Sequence, residues 1–318
     1  MGHAEELDAA LLGEPPTLNR FQVAELSGAP SEQAHAVWSA LGFPAAADDE
    51  IAFTTADVEA LRTAVSLQDS GVIDADTLLV LARAMGQGLA RVAEAQVDVF
   101  RTLTAGMTAE QATTAALDSA VTTLPRLEQL VLFVWRRQFA AATARSFASV
   151  QRQGHPVLAV GFVDLVDYTR SSRTWTASEL ERTLERFERD TSLRVTAAGG
   201  RVIKTLGDAL LFTADDAPAA AEVALATVEA HEADEALPSV RAGVALGPVL
   251  VRLGDVYGQP VNLASRLTDE ARPGTVLVDD LAALELATGP AYVVRALRPR
   301  SVRGYGSLTP HLLRRAAL

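Results

Sequence analysis

Two acids in this chain stand where a carboxylate needs a reason to be. Asp164 ends the almost wholly apolar run Val157-Leu-Ala-Val-Gly-Phe-Val-Asp164, where an unpaired charge is costly to bury. Asp208 sits in the turn Leu206-Gly-Asp208, between two further apolar runs. Either acid alone reads as an ordinary strand-end or turn residue. Together they suit Mg2+ or Mn2+, hard cations that take oxygen ligands and keep room for phosphate. Two such ions about 4 Å apart activate an attacking hydroxyl and steady a leaving pyrophosphate. Behind Asp164 come Leu165, Val166, Asp167, Tyr168 and Thr169, which read as a tight turn into a helix. The backbone N–H groups of such a turn form a natural seat for a triphosphate. There is no Walker lysine motif, so P-loop chemistry is excluded.

Lysine is the next signal. Of 28 lysines and arginines only Lys204 is a lysine, in Arg201-Val-Ile-Lys-Thr-Leu-Gly-Asp208. A compact ammonium held against such a bias points to a role that a planar guanidinium cannot fill. Drift in an arginine-favouring sequence explains one lysine equally well. The last cluster is Gly254-Asp-Val-Tyr-Gly-Gln-Pro-Val-Asn-Leu-Ala-Ser-Arg266. Asn262 and Arg266 are i and i+4 on an expected helix over Val261–Ala271, hence on one face, with Asp255 on the loop before it. An amide can orient a sugar, and a guanidinium can neutralise charge that grows on a phosphoryl group. A plain surface helix face is the competing reading.

The elements that must hold these residues alternate strand and helix. The spacing predicts a buried central strand over 157–164 and an amphipathic helix over 178–197, with Ser178 and Glu181 as its capping box. A hairpin over 201–213 follows, then a helix over 218–233 and strands over 240–247 and 248–253. A strand over 275–278 comes after the Asn–Arg helix. The order β-α-β-β-α-β is that of a ferredoxin-like or palm sheet. The first strand of such a sheet lies beside the hairpin, so Asp164 and Asp208 can converge. The expected class is α+β, an all-α region over 1–152 followed by a palm-type catalytic domain over 153–318. Gln151-Arg-Gln-Gly-His-Pro156 marks the boundary, since Gly and Pro end helices.

Phe162-Val-Asp-Leu-Val-Asp-Tyr-Thr, Lys204-Thr-Leu-Gly-Asp and Asp255-Val-Tyr-Gly-Gln-Pro-Val-Asn-Leu-Ala-Ser-Arg, in this order, resemble a class III nucleotidyl cyclase over roughly residues 155–280. The resemblance implies that Asp164 and Asp208 carry two metal ions, Mg2+ or Mn2+, with the backbone of Leu165 completing the set. It implies that Lys204 and Asp255 read the purine, Asn262 orients the ribose and Arg266 stabilises the transition state. All six positions keep the residue types of adenylate cyclases, so ATP is the implied substrate and cyclic AMP the product. Asp167 stands where many members have glycine. The chemistry is coherent: a lysine donates to adenine N1 and an aspartate accepts from its N6 amine, while guanine mismatches both. The family builds its sites between two catalytic domains, which implies a head-to-tail homodimer. The turn Leu206-Gly-Asp-Ala lacks the Gly-Gly-Asp/Glu-Glu-Phe sequence of diguanylate cyclases. Two other readings compete, a guanylate cyclase and a catalytically silent nucleotide-binding regulator.

The N-terminal half is similar to the helical regulatory domain of actinobacterial pH-responsive adenylate cyclases. Trp38-Ser-Ala-Leu-Gly-Phe-Pro and Phe53-Thr-Thr-Ala-Asp-Val-Glu-Ala-Leu-Arg62 carry that similarity. It implies regulation by pH, with His35, His155, His231 and His311 as titratable candidates. The order of short helices over 17–70, with Ser31 as a helix cap, is also similar to the winged helix-turn-helix of MerR-type regulators. Its second helix carries no arginine or lysine, and residues 1–76 hold fourteen acids against Arg20 and Arg62. Nucleic acid is therefore not an expected partner. Leu78, Leu81, Met85, Leu89 and Val92 fall on one helical face. The face reads as ordinary core, or else as a dimer interface or a pocket for a lipid or other small effector. After a break near Gly106 a second helical stretch runs towards Val150. The chain has no cysteine, no membrane-length apolar run and no signal-like start, so a cytoplasmic location is expected.

Overall fold

The computed structural model describes residues 3–150, 155–166, 168, 175–302 and 306–316. The chain forms two compact units, Met1–Thr143 and Ala144–Leu318. The first is all-α. Helices α1 (His3–Leu12), α2 (Arg20–Ser27), α3 (Ser31–Leu41) and α4 (Thr55–Asp69) are short and turn-separated. Then come α5 (Ala75–Leu103), α6 (Ala109–Thr122) and α7 (Leu124–Val150), the last crossing the unit boundary. The stretch after Gly106 is thus two helices, divided at Thr123. Pro30, not Ser31, holds the cap position of α3, with no side-chain cap bond. A small core of Val23, Val37, Phe53, Val58, Leu61 and Leu78 binds α2 to α5. On α5, Leu78 is buried in this core, whereas Leu81, Met85, Leu89 and Val92 are exposed. Of the five residues of that face, the core reading therefore holds for Leu78 alone, with Ala82 buried beside it.

The second unit is a sheet with helices on both faces. Its elements are β1 (Val157–Leu165), α8 (Ala177–Ala197), β2 (Arg201–Leu206), β3 (Ala209–Ala214), α9 (Ala217–Glu232) and β4 (Val240–Pro248). A small hairpin, β5 (Leu250–Arg252) and β6 (Asp255–Tyr257), leads to α10 (Gln259–Glu270). Then follow β7 (Val276–Val278), α11 (Asp280–Leu286), β8 (Tyr292–Ala296), β9 (Arg300–Val302), β10 (Gly306–Leu308) and β11 (His311–Arg315). The seven-stranded sheet has the order β2-β3-β1-β4-β7-β11-β8. β1 is central and pairs antiparallel with β3 and β4, which explains why its sequence is apolar on both faces. The expected palm arrangement is present, with strands after β7 that the sequence reading did not anticipate.

Alternation along β1 sorts the core into two clusters. Ala159, Val163 and Leu165 pack with Phe187 of α8 and with α9, while Val160 and Phe162 pack with Leu263, Ala264 and Leu267 of α10. The α8 cap lies two residues before the expected one. Thr176 accepts from the Glu179 N–H, and the Glu179 carboxylate accepts from the Thr176 N–H. Two S/T-x-x-E patterns overlap here, and the earlier one starts the helix.

Candidate active site

Asp164 lies on the α10 face of β1, opposite Ala209 of β3 and Arg241 of β4. Its Oδ2 accepts a hydrogen bond from Arg241 Nε at 2.8 Å, with Nη2 in ion-pair contact at 2.7 Å. Burial pushes the Asp164 carboxyl above the usual carboxylate range. Arg241 pulls it back, while the charges of Asp208 and Asp269 add to the rise. Asp208 arrives from the β2–β3 turn, where Gly207 takes a positive φ of 67°. The Leu165 N–H donates to the Asp208 carbonyl at 3.0 Å, which ties that turn to the end of β1. The two aspartates thus approach each other as the order of strands requires.

Among the described residues no group of three or more His, Cys, Asp or Glu forms a ready-made metal cage. A pair of hard oxygen donors without such a cage fits Mg2+ or Mn2+, which retain waters and take substrate phosphates as further ligands. The mutual repulsion of Asp164 and Asp208 is what a divalent cation relieves. Asp164 still has its Oδ1 to offer, because Arg241 occupies only Oδ2. Of the expected phosphate turn, the Val166 N–H donates to the Ser239 carbonyl at 2.8 Å, and Tyr168 packs against the α8–α9 side of the core. Asp167 and Thr169 lie outside the described residues.

Lys204 and Asp255 meet. The ammonium donates to Asp255 Oδ2 at 2.5 Å, across 51 positions of sequence. The meeting depends on a β-bulge between Val202 and Lys204. In regular register Lys204 would share the face of Val202, which packs towards α8 and α9. The extra residue, Ile203, moves Lys204 opposite Leu211, on the α10 face. Burial works to raise the Asp255 carboxyl, but hydrogen bonds from Lys204 and the Val256 N–H outweigh it and hold it below the usual range. Lys204 spends one of three donors on this bond. Asp255 takes Lys204 on Oδ2 and the Val256 N–H on Oδ1, leaving lone pairs for a ligand. Both side chains are partly exposed, at 36% and 24%. They are within a ligand's reach.

Asn262 and Arg266 share the outer face of α10. The helix buries Pro260, Leu263, Ala264, Leu267 and Thr268 against its own sheet, so the i, i+4 pair points away from it. Arg266 Nη1 donates to Asp269 Oδ2 at 3.4 Å, with both side chains half exposed. No hydrogen bond among the described residues joins Asn262 or Arg266 to Asp164 or Asp208. Two glycines set the helix depth. A Cβ on Gly243 would stand 2.4 Å from the Ala264 carbonyl oxygen, and one on Gly247 would stand 2.8 Å from Pro260 Cγ. Sequence reasoning missed Arg241, the bulge and these glycines. The readable signals were an arginine in the otherwise apolar run Val240-Arg-Ala-Gly-Val-Ala-Leu-Gly247 and the glycines beside it.

The adenylate and guanylate cyclase catalytic domain matches residues 150–315 of this chain. An adenylate cyclase of Streptomyces coelicolor is 42% identical over 294 residues, covering 89% of this chain and 75% of that protein. One from Glutamicibacter nicotianae is 34% identical over 326 residues, covering 96% and 81%. A pH-sensitive adenylate cyclase of Mycobacterium tuberculosis is 29% identical over 309 residues, covering 92% and 77%. These similarities span the helical unit as well as the sheet.

Proposed function

This chain belongs to the class III adenylate and guanylate cyclases, and from that membership we propose that it converts ATP to 3′,5′-cyclic AMP and pyrophosphate at sites shared by two copies of itself. The observation that carries the choice of ATP is the Lys204–Asp255 pair. Its spare capacity is one ammonium face and free carboxylate lone pairs, which suits the N1 acceptor and N6 donor of adenine side by side. Guanine would turn a donor to Lys204 and a carbonyl to Asp255, and buried polar mismatches of that kind discriminate strongly.

Asp164 and Asp208 would hold the divalent cations. When bound, these supply charge neutralisation for the triphosphate and a more acidic 3′-hydroxyl. The attack forms the bond from O3′ to the α-phosphorus, breaks the bond to pyrophosphate and releases the hydroxyl proton. Asn262 orients the ribose, and Arg266 meets the charge that grows on the α-phosphoryl oxygens. That pair faces away from its own sheet, so the reading assigns it to the site of the second copy, in a head-to-tail homodimer. The exposed apolar faces of α5 and α7, with Leu89, Val92, Phe133, Trp135 and Phe139, support the same partner. The helical unit then acts as the regulatory part of the enzyme, with pH as its signal.

The test is product formation by the purified chain with Mn2+ and either ATP or GTP, resolved chromatographically. Cyclic AMP from ATP, with little cyclic GMP from GTP, is expected. The double variant Lys204→Glu, Asp255→Cys should lose ATP turnover and its preference over GTP. Unchanged ATP turnover in that variant removes these residues from base reading.

A further inference from the structure

The helical unit holds a cavity of about 250 Å3 between α2, α3 and the segment over 43–46, with the buried Phe53 and Leu61 at its inner end. Its walls follow from the local sequence. Gly42 takes a positive φ of 84° and ends α3, so the Phe43 N–H turns back to the Trp38 carbonyl at 3.2 Å. That reversal sets the Phe43 ring edge-on to Trp38 with centroids 6.0 Å apart, and Trp38 in turn leans on Phe53 at 6.0 Å. Phe21 of α2 adds a fourth ring. Phe21 and Phe43 are nevertheless 46% and 53% exposed. Rings left open at the mouth of an apolar cavity are surface that a small ligand covers. Arg20 is the only arginine or lysine lining the cavity among the described residues. Its Nη2 pairs with Asp48 Oδ1 at 2.5 Å, and its guanidinium carbon lies 4.7 Å from the centre of the Phe21 ring. Its Nε is buried and has no partner among the described residues. A buried N–H donor without an acceptor is unfavourable, so an acceptor entering beside it is favoured.

We propose that this cavity binds a compact aromatic carboxylate of one or two fused rings, with a carboxylate oxygen on Arg20 Nε and the rings among Phe21, Trp38 and Phe43. Size sets the class of ligand. An apolar cavity of about 150 Å3 holds a benzene, so this one takes a fused pair of rings and is too small for a long chain. Four aromatic walls favour a planar ring over an aliphatic group of equal area, because edge-on and offset ring pairs gain beyond burial alone. Charge sets the polar end. Asp48 engages only Nη2, so the guanidinium keeps Nε–H for a second, charge-assisted bond, which a carboxylate satisfies better than a neutral oxygen. Glu32 on the same lining disfavours a second negative charge, so the ligand is a monoanion. All of these residues belong to the helical unit, so the site stands whether or not the sheet unit cyclises ATP.

The probe is naphthoate, titrated into the full chain and read by calorimetry. Saturable binding to the wild type is expected, with octanoate, which lacks the rings, and naphthylmethylammonium, which reverses the charge, at least about 10-fold weaker. Arg20→Met should weaken naphthoate by roughly 10-fold or more. Arg20→Lys keeps a cation for Asp48 but has no N–H at the Nε position, and should fall between Arg20→Met and the wild type. Ser39→Trp, at an exposed lining position of α3, fills the cavity and should abolish binding. Circular dichroism checks folding, and Arg20→Lys with Ser39→Trp carries the test should the methionine variant not fold. No saturable binding to the wild type overturns the proposal, as does equal binding of octanoate or naphthylmethylammonium. Wild-type affinity in a folded Ser39→Trp, or in a folded Arg20 variant, also overturns it, by placing the probe elsewhere on the molecule.

Discussion

The two units of this chain handle their apolar residues in opposite ways. In the sheet unit, Phe187, Phe212, Leu210, Leu211, Leu267 and Val163 are essentially inaccessible. In the helical unit a small core holds the first helices, while Phe133, Trp135 and Phe139 of α7 stand at 61%, 56% and 63% exposure. A monomer seldom leaves so many large apolar side chains of one helix in water. The sheet unit is finished as a fold but offers Asn262 and Arg266 outward. The helical unit is unfinished as a surface. In the proposed function both deficits are met by one event, pairing with a second copy.

The largest expected effect tests how the sheet unit presents α10. Gly243→Ala places a Cβ against helix backbone, at the Ala264 carbonyl and the Thr268 N–H, so α10 must shift. Displacing catalytic groups by about 1 Å can cost about 100-fold, and kcat should fall by that order while binding of 3′-deoxy-ATP, read by calorimetry, stays near normal. A variant with wild-type kcat breaks the link between the glycine and the Arg266 helix.

A smaller effect is expected in the helical unit. Charges at two exposed positions, Leu89→Glu with Phe139→Glu, leave its own core untouched. Analytical ultracentrifugation should show dissociation, and specific activity should rise with protein concentration as pairing is driven back. A variant that remains a tight dimer at all concentrations assigns those faces to some other occupant.

The smallest effect concerns pH, and it separates the units again. His35 and His155 are exposed and His311 faces Asp280, whereas His231 of α9 is buried. Its Nδ1–H donates to the Pro238 carbonyl at 2.7 Å, and its Nε2 has no partner among the described residues. Burial pushes the imidazole below its usual range. The surrounding charges are mixed: Arg194 and Arg186 lower it further and Asp190 raises it, beside the edge-on ring of Phe187. A depressed folded value means that the unfolded chain binds the proton more readily. Its contribution to stability is therefore present above about pH 6.5 and lost as pH falls through the lower folded value. The thermal midpoint of the wild type should fall by a few degrees over that window, and His231→Phe should flatten the fall. An equally steep fall in the variant places the acid sensitivity elsewhere.

Much of the sheet was legible because its signals are local. The apolar run of β1, the glycine turn before Asp208 and the helix–strand alternation each fit within a dozen residues. The unread parts depend on pairing at a distance. Ile203 looks like any strand residue until register with β3 shows it to be the extra one that turns Lys204 over. Arg241 resembles a surface charge until β4 is laid against β1. The late strands β8 to β11 are short and carry no strong alternation, so nothing local announced them. On α5, periodicity marked a face correctly but could not say what covers it, since helix spacing is the same for a core and for an interface.

The claim that sites are shared between copies has one direct test. Asp164→Ala removes the metal side of a site, and Arg266→Ala removes its phosphoryl side, so each variant alone should be inactive. The two chains are co-expressed with different tags and the mixed dimers assayed with ATP and Mn2+. Each mixed dimer, isolated through both tags, has one intact site of two, so about half of wild-type activity is expected. Mixed dimers as inactive as either parent would contradict the account, because they would place both sides of each site within a single chain.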